Sequence, residues 1–290
     1  MEKENFSMKK IRLISALLIG SVMVLSCATG SMAAGKMIQI KGSDTMVNLM
    51  SNLAEAYMQA HKDIHIAVTG GGSGTGIAAL LNGTTDICAS SRALKKEEET
   101  QAATKKLTPV STIIGLDGIA VMVNKSNPLS ELTLEQLKNI YTGVYTRWSD
   151  VGGPDQPILA LSRESNSGTY VYFQEHVLEK KDYSPKVRLM TSTAAITKSV
   201  TDDLWSIGYG GVAYAEHANV KTIHVKKNMD APAIAPTEAA VHDGSYPISR
   251  PLFLFTNGEP TGEVKAFMDF CHSPDGQKIV TETGYITVTP

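Results

Sequence analysis

Four segments of the 290-residue chain are rich in hydroxyls and glycine: Gly42-Ser43-Asp44-Thr45, Gly70-Gly71-Gly72-Ser73-Gly74-Thr75-Gly76, Ser90-Ser91-Arg92 and Ser167-Gly168-Thr169. Each follows a short apolar run of β type and precedes a helical pattern. Hydroxyls and bare backbone N–H groups are therefore expected at helix starts, at the sheet edge where ligands of open α/β proteins sit. A helix N-terminus carries partial positive charge and suits a phosphate-like anion. Arg163 stands four residues before the last triplet, in SRESNSGTYVYFQEHVL. Its planar guanidinium can hold an oxyanion through two parallel N–H bonds. Alone, this stretch equally fits an ordinary N-cap beside a surface arginine. The same pattern at four places favours capture of an oxyanion.

Rival motifs fail on spacing. The run GGGSGTG lacks the Gly-Lys-Ser/Thr ending of a P-loop, so no lysine is placed to reach the outer phosphates of a nucleotide. A dinucleotide fingerprint from Gly70 needs glycine where Thr75 stands, and one from Gly72 needs it where Ile77 stands. The G-x-S-x-G nucleophile pattern fails because Ser73 has Gly71 before it but Thr75 after it. No CxxC and no paired histidines support a metal, and no base stands beside a hydroxyl, so neither metal, cofactor nor catalysis is expected.

Lys9, Lys10 and Arg12 precede an apolar run from Leu13 to Leu25 and then small residues, the layout of an export signal. The run is short for a membrane span. Two processing sites compete: Ser31-Met32-Ala33 suits a signal peptidase, and Val24-Leu25-Ser26-Cys27 resembles a lipobox. The protein is expected outside the cytoplasmic membrane, periplasmic or lipid-anchored. Removing residues 1–33 leaves 257 residues with 23 Lys and Arg against 27 Asp and Glu. That slight acidity argues against nucleic acid and leaves anion binding to local donors. Cys88 and Cys271 remain in the body, either paired after export or as two buried free thiols.

The elements that must carry these groups alternate. MIQIKG, HIAVTG and DICAS read as strands; TMVNLMSNLAEAYMQAH, the segment after Gly72 and SRALKKEEETQAATKK read as helices. Such alternation predicts α/β with a parallel sheet. STIIGLDGIAVMVNK and YPISRPLFLFTNG are long β runs flanking a central block. That block contains NPLSELTLEQLKNIYTG, VRLM and the helix-like AITKSVTDDLWSIGYGG. A loose Ala- and Pro-rich region spans residues 226–245, and one helix, TGEVKAFMDFCHSPDGQKIVTETG, closes the chain. Two lobes follow: 34–116 with 251–290 as the first, 117–250 as the second, and a ligand cleft between them.

IKGSDTM, TGGGSGTGIAALLNGTTDICASSRAL, SRESNSGT and YPISRPLFLFTNG, in that order, make the chain resemble the phosphate-binding subunit of ABC-type phosphate importers. The resemblance spans roughly Ile38 to the C-terminus. It implies a two-lobed periplasmic-binding-protein-like fold of type II that closes by a hinge around inorganic phosphate, works as a monomer, and delivers its ligand to a membrane permease. Carried over residue by residue, the phosphate ligands are Ser43 and Thr45, Ser73, Ser91, Arg163, Ser167, Gly168 and Thr169, with Gly74 and Arg92 as further candidates.

Many members place an aspartate, which accepts the phosphate proton and excludes sulfate, where this chain has Ser91. Asp44 is the preferred replacement and Glu164 the alternative. Asp44 also fits a helix-start carboxylate, Glu164 a partner that orients Arg163, and Arg92 an exposed first-turn residue. Tyr170, Tyr172 and Phe173 fit core or cleft wall. The rival functions are a receptor for another oxyanion, such as sulfate or molybdate, and a secreted phosphatase or esterase.

Overall fold

The computed structural model describes residues 36–288, so the signal segment and Cys27 lie outside the described residues. Ten strands form one mixed sheet: β1 (Lys36–Gly42), β2 (Ile64–Thr69), β3 (Ile87–Ser90), β4 (Pro109–Asn124), β5 (Glu131–Thr133), β6 (Leu159–Arg163), β7 (Arg188–Met190), β8 (Ser206–Gly211), β9 (Val220–Lys226) and β10 (Ser249–Asn257). The order is β2-β1-β3-β10-β4-β8-β6-β7, with β9 joining β4 to β5. The helices are α1 (Val47–Ala60), α2 (Ser73–Leu81), α3 (Lys96–Thr104), α4 (Leu134–Thr142), α5 (Gly168–His176), α6 (Thr193–Asp202), α7 (Val212–Glu216), α8 (Glu238–His242), α9 (Gly262–His272) and α10 (Pro274–Glu282). Among the described residues no helix is long and apolar enough to cross a membrane.

Parallel β1, β2 and β3 make one half of the sheet and parallel β6, β7 and β8 the other. Antiparallel β4 and β10 run between them. The sixteen residues of β4 pair with β10 over Pro109–Gly118 and with β8 over Ile119–Val123, so one strand serves both halves. A register shift interrupts the β4–β10 ladder between Leu252 and Phe253. The expected lobe divisions at 116/117 and 250/251 fall inside these two strands.

Each half has its own apolar core. In the first, Ile38 and Ile40 from β1 meet Leu49, Met50 and Leu53 from one face of α1, with Phe267 from α9. In the second, Tyr141, Trp148, Phe173 and Tyr209 pack together, Phe173 stacking on Tyr209 at 3.9 Å between ring centroids. Local signals agree with the ends of elements. Thr133 and Gln136 cap α4 reciprocally, at 3.0 Å and 2.9 Å, and Gly143 ends the helix in the left-handed region.

Four sequence expectations are corrected. Ser90-Ser91-Arg92 does not open a helix: α3 begins only at Lys96, and the serines stay in the preceding turn. SIGYGG is not helical but the buried strand β8. Its glycines let α6 lie close, since a Cβ at Gly208 would come within 2.3 Å of Ile196 and one at Gly210 within 2.5 Å of Thr193. The closing helix is two, broken where Ser273 caps α10 by accepting from Gly276 N at 3.1 Å and Pro274 takes the first position. The loose region after Lys226 contains α8.

Cys88 and Cys271 are free, buried and in separate clusters, which resolves the pairing alternative. Burial pushes the Cys88 thiol up to about 12 and raises Cys271 as well. The thiolate is the reactive form. We therefore expect a protein lacking residues 1–33 to show no reaction with a thiol reagent at pH 8 when native, and two thiols per chain after unfolding in guanidinium. Fewer than two on unfolding contradicts the free-thiol state.

Candidate functional site

The first half contributes four hydroxyls, three of them serines that cluster together. Gly42, at φ +147°, ends β1 so near β3 that a Cβ there would lie 2.0 Å from Ala89 O. This close approach lets Ser43 N donate to Ala89 O at 2.8 Å and brings Ser43 beside Ser91. Ser43 Oγ donates to Ser91 Oγ at 3.0 Å, and Ser73 Oγ lies 3.3 Å from Ser91 Oγ while accepting from Ser91 N at 3.1 Å. All three serines are buried. Ser73 is the first residue of α2, entered through Gly72 at φ +103°.

The second half supplies a helix start and a cation. Ser167 Oγ caps α5 by accepting from Thr169 N at 3.2 Å and Tyr170 N at 3.4 Å. Gly168 faces the serine trio: a Cβ there would stand 2.3 Å from Ser73 Oγ and 2.7 Å from Ser91 Oγ. Thr45 and Thr169 share a hydroxyl–hydroxyl bond of 2.9 Å. Gly74 N donates to Asn166 O at 2.9 Å, and Asn166 Nδ2 donates to Gly71 O at 2.8 Å. The N-termini of α2 and α5 thus meet across the cleft.

Arg163 ends β6 with its side chain buried. Nη1 donates to Asp44 Oδ2 at 2.8 Å and to Thr193 Oγ1 at 2.9 Å, and Nη2 donates to Thr191 O at 3.0 Å. Its buried Nε has no partner among the described residues. Burial lowers the arginine's pKa from its ordinary value, while the Asp44 carboxylate opposes that shift. Asp44 Oδ2 also accepts from Thr193 N at 2.9 Å, at the start of α6, and Asp44 O accepts from Tyr214 at 3.0 Å. Asp44 of the first half therefore engages three groups of the second, two through its carboxylate and one through its backbone carbonyl. An arrangement of hydroxyls, N–H groups and one guanidinium can hold an oxyanion by donation alone.

Nine residues expected as ligands, Ser43, Asp44, Thr45, Ser73, Ser91, Arg163, Ser167, Gly168 and Thr169, come together here. Arg92 is close to Gly74, its Nη2 lying 3.7 Å from where a Cβ would stand. It is buried, not exposed, and binds Glu98 through two 2.8 Å bonds. Burial alone pushes the Glu98 carboxyl up, and the bonds from Arg92 and Lys95 N more than offset it, leaving it below its ordinary value. Glu164 is exposed and does not orient Arg163; Asp44 does. Successive residues of an extended chain point to opposite sides, which turns Glu164 away.

Sequence reasoning missed Asn166, Thr193 and a buried ion pair, Asp117 with Arg250. The last had a signal: each long apolar crossing run holds one charge near its middle.

Replacing Gly168 by alanine drives a methyl into two buried serine hydroxyls, an overpacking that costs roughly 1 to 3 kcal/mol when closed. We expect Gly168→Ala to weaken phosphate binding about fivefold or more in calorimetric titration. The ligand-free melting temperature should change little, because the position is helical. Wild-type affinity in this variant contradicts the close approach of α5 to the serines.

Among known proteins, the description of the PBP superfamily domain matches residues 28–275. The phosphate-binding protein PstS of Staphylococcus epidermidis is 33% identical, the alignment covering 96% of this chain and 89% of that protein. PstS of Pseudomonas aeruginosa is 33% identical over 84% of this chain and 81% of its own length. Among solved structures, a phosphate ABC transporter substrate-binding protein from Clostridium perfringens with bound phosphate gives a TM-score of 0.79 at 32% identity, covering 88% of this chain and all of that one. An ABC-type phosphate transport receptor from Vibrio cholerae gives 0.71 at 32% identity, over 86% of this chain and 99% of its own. With a two-halved α/β sheet closed over a hydroxyl-lined cleft and these relatives along nearly its whole length, the chain belongs to the PBP superfamily and, within it, to the PstS family of phosphate-binding proteins.

Proposed function

We propose that the protein captures inorganic phosphate outside the cytoplasmic membrane and hands it to the permease of an ABC importer. The observation that carries this reading is the convergence of Arg163, six buried hydroxyls and two helix N-termini on one cleft between the halves. The relatives named for phosphate binding, one of them with phosphate bound, support the choice of oxyanion. Capture proceeds by closure: the anion first meets donors of one half, and donors of the other stabilise the closed state that a permease recognises. No bond is made or broken. Ser43, Ser73 and Ser91 bond to one another, not to a histidine or carboxylate that could activate them. Residues 1–33 direct export, with anchoring through Cys27 as the variant route.

Ser91 in place of an aspartate favours a second reading, a receptor for a fully ionised oxyanion. Asp44 separates the two. At neutral pH phosphate carries a proton and sulfate does not, so a carboxylate at the site gains a bond from the first and repels the second. Asp44 Oδ2 is committed to Arg163 and Thr193 N, and among the described residues no hydrogen bond falls on its other oxygen, Oδ1, which we assign to the phosphate proton.

Two outcomes are expected. Phosphate at a thousandfold excess over Kd stabilises the fold by about 4 kcal/mol through mass action, a rise of about 10 °C in melting temperature, whereas sulfate gives little. An unchanged melting curve in protein stripped of ligand refutes phosphate capture. Asp44→Asn weakens phosphate about tenfold, the loss of roughly one charged hydrogen bond, and lets sulfate compete in the same titration. Glu164→Gln leaves both unchanged. If Asp44→Asn rejects sulfate as the wild type does, the selectivity assignment fails.

A further inference from the structure

Asp117 on β4 and Arg250 on β10 face each other in register where the crossing strands pass from one half to the other, and both side chains are fully buried. Stability is a weak reason for such a pair, because desolvating two charges offsets most of their attraction. Its geometry is also lopsided. Arg250 Nε, at 3.0 Å, and Nη2, at 2.8 Å, both reach Asp117 Oδ2, while Oδ1 accepts from Val212 N at 3.2 Å at the start of α7. Arg250 Nη1 is buried with no partner among the described residues. A carboxylate and a guanidinium usually meet fork to fork through two parallel bonds. The tilt away from that arrangement lets Nη2 reach Thr169 Oγ1 at 3.0 Å. On the other side the Tyr172 ring lies 5.7 Å from the guanidinium carbon, with its hydroxyl donating to Ser249 O.

We propose that Arg250, held by Asp117, is a positioning residue for the anion site: it fixes Thr169 as a hydrogen-bond donor. A guanidinium only donates, and a threonine hydroxyl has one proton and two lone pairs. The bond from Arg250 therefore occupies a lone pair of Thr169 and turns its proton away, toward Thr45 and the cleft. The cation polarises that O–H, and Asp117 balances the charge so that the site gains a directed donor without a second free cation. The role is distinct from that of Arg163, which touches the cleft itself. It rests on the phosphate reading above.

A double-mutant cycle tests it. Arg250→Met with Asp117→Asn, which leaves no lone buried charge, is titrated with phosphate in the wild-type background and in Thr169→Val. The expected result is about a tenfold loss with Thr169 present and less than twofold in Thr169→Val, a coupling of about 1 kcal/mol or more. A role in folding alone predicts a lower melting temperature with equal losses in both backgrounds, and that result overturns the proposal. Should the neutral pair fail to fold, Arg250→Lys enters the same cycle. It keeps the charge but lacks the planar fork, and coupling below twofold refutes the assignment. A wild-type protein that does not bind phosphate removes the phosphate reading and this proposal together. A wild type that binds, with losses independent of Thr169, removes this proposal alone.

Discussion

A buried guanidinium needs an anionic partner, and Arg163 finds its carboxylate on the opposite side of the cleft, in Asp44. Everything else at the site depends on that crossing. Arg163 stands at the end of β6, and Thr191 and Thr193 surround its remaining bonds. Asp44 stands at the end of β1 and reaches α6 as well. One ion pair therefore sets the distance between two parallel half-sheets whose cores do not share their large side chains. Its value lies less in energy than in register: breaking a buried pair by removing one partner costs about 3 to 5 kcal/mol, whereas the intact pair contributes little net stability.

The second constraint is backbone proximity. Gly42, Gly72 and Gly168 stand where any side chain would meet Ala89, Asn166 or the serine hydroxyls. The serines are short, so the N-termini of α2 and α5 come close enough for both to face one small anion. Selectivity for a small tetrahedral ligand is then partly steric, set by what the two backbones exclude, and partly chemical, set by which oxygens can receive a proton.

Much of this was legible in the residues. The strands β1 to β3 and the helices between them follow from period and turn chemistry, and the two apolar crossing runs mark β4 and β10. Glycine and hydroxyl residues clustered at strand ends mark the site, and the resemblance to the phosphate-binding family names the individual ligand candidates, with Asp44 added in place of the aspartate absent at Ser91. Partnership was not legible. Arg163 pairs with Asp44, 119 positions away, and not with its neighbour Glu164, because sequence adjacency in an extended chain separates side chains while the fold joins distant strand ends. Arg92 resembled a surface residue until Glu98 was seen to neutralise it from the first turn of α3. SIGYGG reads as the end of a helix in sequence because the tight packing of α6 that requires its glycines is a tertiary fact.

The two crossing strands have a mechanical consequence. Where many two-part proteins are joined by an open linker, β4 and β10 are hydrogen-bonded to each other through the passage, so any rotation of one half against the other must twist a paired ribbon. A ribbon resists shear and stretching through its ladder and yields mainly in torsion, which restricts relative motion to nearly one degree of freedom. The register shift between Leu252 and Phe253 is its compliant point, since a bulge locally loosens the ladder and increases twist. For the closure proposed above, the ribbon would act as a torsion spring with a soft spot two residues beyond Arg250, the opening angle being set by elasticity of the sheet instead of by the length of a tether.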